Sequence, residues 1–224
     1  MIAKLLLQNI VFVVAMGALL FATAGSLHWP AAWVFLVTSA AIGPACGLWL
    51  ARTDPALLAE RMRPTFQAGQ PAADKTFMLI FIAATLVWLV AIGLDRRVHA
   101  SNVPLALQVV GFAMYLLCTV FVMWVFRENS FAAPVVRVQA ERGHHVISTG
   151  PYAIVRHPMY GAIMLFFFGV PLLLGSWWGL SIAPLFAVLF AVRTGIEERA
   201  LMAGLPGYAD YTARVRYRLF PGLW

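Results

Sequence analysis

From residue 5 to residue 51 the chain carries no Lys, Arg, Asp or Glu. A helix needs roughly 20 apolar residues to cross about 30 Å of hydrocarbon, so this stretch has room for two spans. Ser26-Leu27-His28-Trp29-Pro30 interrupts it. Pro30 is placed to open the second helix, because a first-turn residue needs no backbone donor. Spans are expected at about residues 5–25 and 31–51. Lys4 and Ala22-Thr23-Ala24 resemble parts of a signal peptide, but the apolar run is longer than a usual signal core. An uncleaved first helix is therefore expected.

The remainder repeats this pattern. Residues 52–75 are polar and broken by Pro55, Pro64 and Pro71, with a short interfacial helix expected around Leu57–Met62. A third span is expected at about 76–94, before Asp95-Arg96-Arg97, and a fourth at about 103–126, before Arg127-Glu128-Asn129. Residues 127–157 form a polar segment with extended-looking runs at 135–139 and 146–148. Residues 159–192 are again free of charge, and Gly175-Ser176-Trp177-Trp178-Gly179 splits them into two helices. The second is expected to continue past the bilayer, carrying Arg193, Glu197 and Glu198. Charged residues make up only 11% of the chain, against about 25% in soluble domains. The fold class is thus all-α and integral to the membrane, with about six spans: four in residues 1–126, and in 127–224 a cytoplasmic segment, a helical hairpin and a C-terminal tail integrated with them into one domain.

The net charge is +7. No basic run interleaves with aromatics outside the spans, so nucleic acid is not an expected partner. Six spans put both termini on one side. If that side is cytoplasmic, 14 of the 16 Lys and Arg lie inside, and only Arg96 and Arg97 lie outside. Cationic residues gather on cytoplasmic loops, so both ends and the polar segments are expected there. Cys46 and Cys118 sit in apolar runs with no CxxC or metal spacing and are expected to be small packed side chains.

Polar groups concentrate in residues 127–160 and 193–218. His144 and His145 have no acidic or Cys partner at ligand spacing, so no metal is expected. Arg156-His157-Pro158 stands at the mouth of the fifth span, where first-turn amides favour anionic groups. Tyr152 and Tyr160 flank it and offer aromatic faces to a cation. Spacing alone leaves open whether His157 and Tyr160 form a site or are ordinary interfacial residues. Arg193 and Glu197, four apart, share a helix face. They are either an exposed ion pair that anchors the helix or a charged pair at the rim of a cavity.

Gly150-Pro151-Tyr152-Ala153-Ile154-Val155-Arg156-His157-Pro158-Met159-Tyr160 resembles the signature of the isoprenylcysteine carboxyl methyltransferase family, whose superfamily includes the phospholipid methyltransferases. Gln139, His144, Arg193-x-x-x-Glu197-Glu198, Gly207-Tyr208-x-x-Tyr211 and Arg216-Tyr217-Arg218-x-x-Pro221 extend the resemblance, which covers roughly residues 127–224. The front half matches only as hydrophobic spans. The resemblance implies an integral membrane enzyme that uses S-adenosyl-L-methionine. Its cofactor contacts, carried over by position, are Gln139, His144, His145, Val146, Ile147, Tyr152, His157, Pro158, Met159, Tyr160 and Glu197, with Glu198 adjacent. Arg193 matches the residue that meets the substrate, and His157 and Arg193 are the catalytic candidates. The acceptor implied is lipophilic or amphiphilic, such as a prenylcysteine-type carboxylate.

Transfer from a sulfonium needs no covalent enzyme intermediate, so catalysis is expected to be positioning and exclusion of water. A carboxylate acceptor needs no general base, whereas an amine would need His157 or Glu197 to take a proton. The alternatives are a phospholipid amine N-methyltransferase and a sterol-reductase-like, NADPH-dependent membrane reductase. The short cytoplasmic segment between spans four and five favours the smaller cofactor. A transporter would need ionisable groups inside the first five spans, and none is evident there. The topology makes a direct prediction: reporter fusions after Leu27 and Val98 read outside, and fusions after Gln67 and Arg142 read inside. A fusion after Arg142 that reads outside refutes the orientation.

Overall fold

The computed structural model describes residues 2–67 and 69–224. Among these there are eight α-helices and no strand: α1 (Ile2–Ala24), α2 (Pro30–Thr53), α3 (Pro55–Arg61), α4 (Ala72–Val98), α5 (Leu105–Glu128), α6 (Pro158–Leu174), α7 (Trp177–Gly204) and α8 (Tyr208–Arg214). Five of them, α1, α2, α4, α5 and α7, are long and apolar enough to cross a membrane, and α6 is a shorter apolar helix of 17 residues. The all-α membrane architecture expected from the sequence is therefore present. The boundaries follow local chemistry. Pro30, Pro55 and Pro158 each occupy the first turn of a helix. Asp54 caps α3 by accepting from Leu57 N at 2.9 Å, and Ser176 caps α7 by accepting from Gly179 N at 2.9 Å.

Two expectations change. The runs at 135–139 and 146–148 are irregular rather than extended strands, because no neighbouring strand is available to take their backbone groups. α4 begins at Ala72 rather than near residue 76, which brings Asp74 into its first turn, fully buried. Asp95, expected in a loop, is the second buried acid of the same helix. In each, Oδ2 is bonded from neighbouring elements, while Oδ1 is buried without a hydrogen bond of its own. Asp95 Oδ2 accepts from Ser101 Oγ at 2.6 Å, Ser176 Oγ at 2.5 Å and Trp178 N at 3.2 Å. The cost of sinking a carboxylate is thereby offset by hydrogen bonds to it.

The core is aromatic. Phe77, Phe81 and Trp88 of α4 meet Phe167 of α6 and Phe186 and Phe190 of α7 in edge-on and stacked pairs, and Phe167 lies flat on Phe186 with ring centroids 3.7 Å apart. Trp88 Nε1 donates to Gly179 O at 2.9 Å, which satisfies its one polar atom. In lipid, helices associate through close packing rather than through the hydrophobic effect, so small residues sit where backbones touch. α5 and α6 cross at Gly111 and Gly169. A β-carbon on Gly169 would lie 2.7 Å from the Gly111 carbonyl oxygen, and one on Gly111 would strike the Gly169 carbonyl.

This crossing carries a prediction. Gly111→Ala forces two rigid backbones apart and lowers stability by about 1–3 kcal/mol. Gly195→Ala on α7 meets nothing within 4 Å and leaves stability equal to or above the parent, since alanine is the better helix former. Thermal unfolding in one detergent checks both variants, and equal midpoints would refute the crossing.

Candidate functional site

α6 and α7 form a hairpin about the turn at Gly175, which takes the left-handed backbone (φ 76°) that glycine adopts without cost. At 1.5 Å per residue, α6 runs about 25 Å back from this turn and ends at Pro158. α7 runs about 42 Å and passes it. Counting from the turn, His157 and Arg193 come at nearly the same depth. The hairpin therefore sets His157–Tyr160 beside Arg193–Glu198 at one end of the bundle. The segment 129–157, α3, α8 and the C-terminal tail gather at that same end.

Between them lies a cleft of about 760 Å³, counting the solvent in its open mouth. Nine of the residues expected to contact a cofactor line it: His144, His145, Val146, Ile147, Tyr152, His157, Met159, Tyr160 and Glu197. Gln139, Pro158, Glu198 and Arg193 do not. Gln139 is fully buried behind the wall, donating to Phe131 O at 2.9 Å and offering its N–H to His144 Nδ1 at 3.2 Å. Pro158 starts α6. Arg193 stands behind Tyr160, its guanidinium 5.8 Å from that ring and 4.9 Å from the Phe77 ring. The sequence did not single out Phe131 and Val135, or Leu201 and Leu205, as lining residues. Tyr208 and Tyr211 line the cleft too, and the only signal for them was the Gly207-Tyr208-x-x-Tyr211 match.

The two adjacent glutamates do different things, since neighbouring helical residues point about 100° apart. Glu197 faces the cleft. Its Oε2 accepts from Tyr160 OH at 2.5 Å and lies 3.5 Å from His157 Nδ1, while no described residue binds its Oε1. Glu198 faces the tail. Its Oε1 takes Arg156 Nε at 2.6 Å, and its Oε2 takes Arg218 Nε at 2.8 Å. Arg156 also donates to the carbonyls of Val215 and Arg216 at 2.8 and 2.9 Å. The backbones of Arg156 and His157 donate to the carbonyls of Tyr217 and Arg218. The tail is thus bonded to the mouth of α6.

Electrostatics differ across the cleft. Burial would lower the pKa of His157, but hydrogen bonds and charge from Glu197 and Glu198 outweigh it, and the pKa is raised. His144 lies on the other wall, stacked on Phe131 with centroids 4.4 Å apart. Burial and the neighbouring charge of His145 lower its pKa to about 4, so it is neutral near pH 7. Both arginines of the lining are already engaged. Arg137 meets Glu60 with two 3.0 Å bonds and Glu141 at 2.8 Å, and Arg156 is held as above. The cleft therefore offers one carboxylate oxygen, several aromatic faces and a neutral imidazole, with no unpaired arginine.

A sequence model of the phospholipid methyltransferase family matches residues 107–205, the stretch from α5 to the end of α7 that carries the hairpin and most of the cleft. That stretch is similar to a family of the superfamily whose signature the sequence resembles, and the match spans 99 of the 224 residues. A search of curated proteins gave no match.

The division of labour between the glutamates is testable. Glu198→Gln weakens two charge-assisted bonds and releases the tail, a loss on the order of 1–3 kcal/mol in local stability. Hydrogen exchange of the Arg156 and His157 amides, which the tail carbonyls hold, should rise about ten-fold or more, as that loss implies. Glu197→Gln leaves those amides protected. Equal protection in the two variants would refute the assignment.

Proposed function

We propose, taking residues 107–205 as a phospholipid methyltransferase family region, that this protein is an S-adenosyl-L-methionine-dependent methyltransferase acting on a lipophilic or amphiphilic acceptor at the membrane surface. The observation that carries the reading is the cleft's inventory: a carboxylate oxygen on Glu197 with no described partner, beside aromatic faces and with no unpaired arginine. That inventory suits a cofactor bearing an ammonium, hydroxyls and a sulfonium. It suits NADPH poorly, because a 2′-phosphate calls for a free guanidinium.

When bound, the cofactor supplies a methyl group already activated on sulfur. The protein's own work is then binding, orientation and exclusion of water. Glu197 Oε1 accepts hydrogen bonds from ammonium or ribose hydroxyl groups. The faces of Tyr152, Tyr160 and Tyr208 favour a cation by their ring quadrupoles. His157 fixes Glu197 from the other side, 3.5 Å from Oε2. The cleft opens at the end of the bundle where the charge distribution puts the cytoplasm, with both termini on that side.

Arg193 sets the charge at the inner end of the site, one ring behind Tyr160. A guanidinium there favours an acceptor with an anionic oxygen, such as the carboxylate of a prenylcysteine-type group. The name of the matched family favours a second reading, a phospholipid amine, and then His157 or Glu197 must take the proton.

Purified protein is expected to bind S-adenosylhomocysteine and not NADPH. It is also expected to transfer labelled methyl groups into a membrane lipid extract. Glu197→Gln should weaken S-adenosylhomocysteine by on the order of 1–3 kcal/mol while remaining folded. Arg193→Lys and Arg193→Ala should bind it nearly normally and lose most turnover, the lysine variant less. NADPH binding, or undiminished affinity in both Glu197→Gln and His157→Ala, would overturn the cofactor assignment. Parent-like turnover in Arg193→Lys would remove Arg193 from the acceptor's chemistry. Base-labile label in the product would indicate an ester, and base-stable label an amine.

A further inference from the structure

Asp74 is outside the region matched by the family and outside every motif of the resemblance. It nevertheless bonds to a residue of the cleft wall, Val136, and stands beside Arg193. Its Oδ2 accepts from Val136 N at 3.0 Å and from Gln70 Nε2 at 2.6 Å. Its Oδ1 lies 3.5 Å from Arg193 Nη2 and has no hydrogen bond of its own. Arg193 in turn donates to Pro134 O and, at 3.1 Å, to Met78 Sδ, while its Nε is buried without a partner. Val135 and Val136 line the cleft. One fully buried carboxylate thus grips both the wall of the cleft and the cation behind it.

A buried carboxylate and guanidinium held together by charge, without a direct hydrogen bond, contribute little to stability, because desolvation offsets their attraction. A well-packed apolar pair would serve the fold as well. What the arrangement does provide is a fixed place for a cation. Without the anion, the Pro134 carbonyl, the Met78 sulfur and the Phe77 and Tyr160 rings would still hold the guanidinium, but no charge would oppose its drift toward water, the direction long basic side chains take near a membrane surface.

We propose that Asp74 is a positioning residue for methyl transfer: by holding Arg193 on one oxygen and the Val136 amide on the other, it fixes the acceptor-side charge relative to the cofactor wall. The proposal rests on the methyltransferase reading of the cleft. The two oxygens have separable tasks. In Asp74→Asn the amide oxygen can still accept from Val136 N and Gln70, while the charge that holds Arg193 is gone. In Asp74→Ala both are lost.

The test uses the full chain in lipid nanodiscs, with S-adenosylhomocysteine binding by calorimetry and turnover from labelled S-adenosyl-L-methionine into a lipid extract. Asp74→Asn is expected to bind S-adenosylhomocysteine within about two-fold of the parent and to lose about ten-fold or more in turnover at saturating cofactor, a split that marks an interaction used only in the reaction. Asp74→Ala is expected to lose cofactor affinity as well. Because Asp74 acts through Arg193, adding Asp74→Asn to Arg193→Ala should lower turnover by less than about two-fold further. Parent-like turnover in Asp74→Asn would overturn the proposal. So would an equal loss of binding, turnover and thermal stability in the asparagine and alanine variants, which is the pattern of a merely structural acid. A parent protein that neither binds S-adenosylhomocysteine nor transfers methyl would overturn the reading of the cleft and the proposal together, whereas a normal parent with an indifferent Asp74→Asn overturns the proposal alone.

Discussion

The Arg156–Glu198–Arg218 clasp is the interaction on which the site's shape depends. Arg156 lies two residues before α6, Glu198 near the end of α7, and Arg218 in the tail, so three separate pieces of chain meet at one carboxylate. Each ion pair alone would be modest, the Arg218 pair especially, because its side chain is 36% exposed and water screens it. Together with the four bonds that the carbonyls of Val215 to Arg218 accept, two from the Arg156 side chain and two from the Arg156 and His157 amides, they form a network in which each contact lowers the ordering cost of the next. The clasp adds to the holds that α8 already has, the bond from Tyr211 OH to Tyr152 O and the packing of Tyr208 and Tyr211 with Leu205.

The clasp also explains how two adjacent acids can share a helix at the edge of the hydrocarbon. Ionisable groups at such depth are costly unless paired. Glu198 is paired with two guanidinium groups, Glu197 accepts from a phenol, and the His157 imidazole lies between them, 3.5 Å from Glu197 and 3.4 Å from Glu198. Glu197 is the less saturated of the two, which is where a ligand would find room. Tyr160 joins the systems: it donates to Glu197, stacks parallel to His157 with centroids 5.7 Å apart and presents its ring to Arg193.

Much of this was legible in the sequence. Charge-free runs marked the spans, and prolines in first turns marked their starts, because both signals are local. Nine of the residues taken over from the motif line the cleft because the motif preserves an order that the α6–α7 hairpin folds back on itself. What stayed hidden depends on contacts distant in sequence. Arg193 looked like a partner of Glu197 by helical spacing, yet its nearest carboxylate is Asp74 on α4, since the aromatic core brings α4 against that face of α7. Glu198 looked like a second cofactor contact, yet its helical angle turns it toward the tail. Leu201 and Leu205 carry no chemistry that spacing could flag.

Asp74 and Asp95 show why the front half cannot be an inert anchor for the back half. They are 21 residues apart on α4, about 31 Å along the axis, which is close to the thickness of the hydrocarbon. Each is buried, and each bonds outward from its own helix to the catalytic half. Asp95 holds Ser176 and the Trp178 amide where α7 begins. Asp74 holds the Val136 amide and faces Arg193 near where α7 leaves the bundle. A helix pinned to its neighbour at one end can still slide or rotate. Pinned at both, with Phe81 and Trp88 locked into the aromatic core between, it cannot shift by a turn without stranding two buried carboxylates. The depth of Arg193 and Glu197 in the membrane is therefore set by α4 as much as by α7. Asp74, which lies outside every matched motif, thus helps to fix where the inner end of the cleft stands.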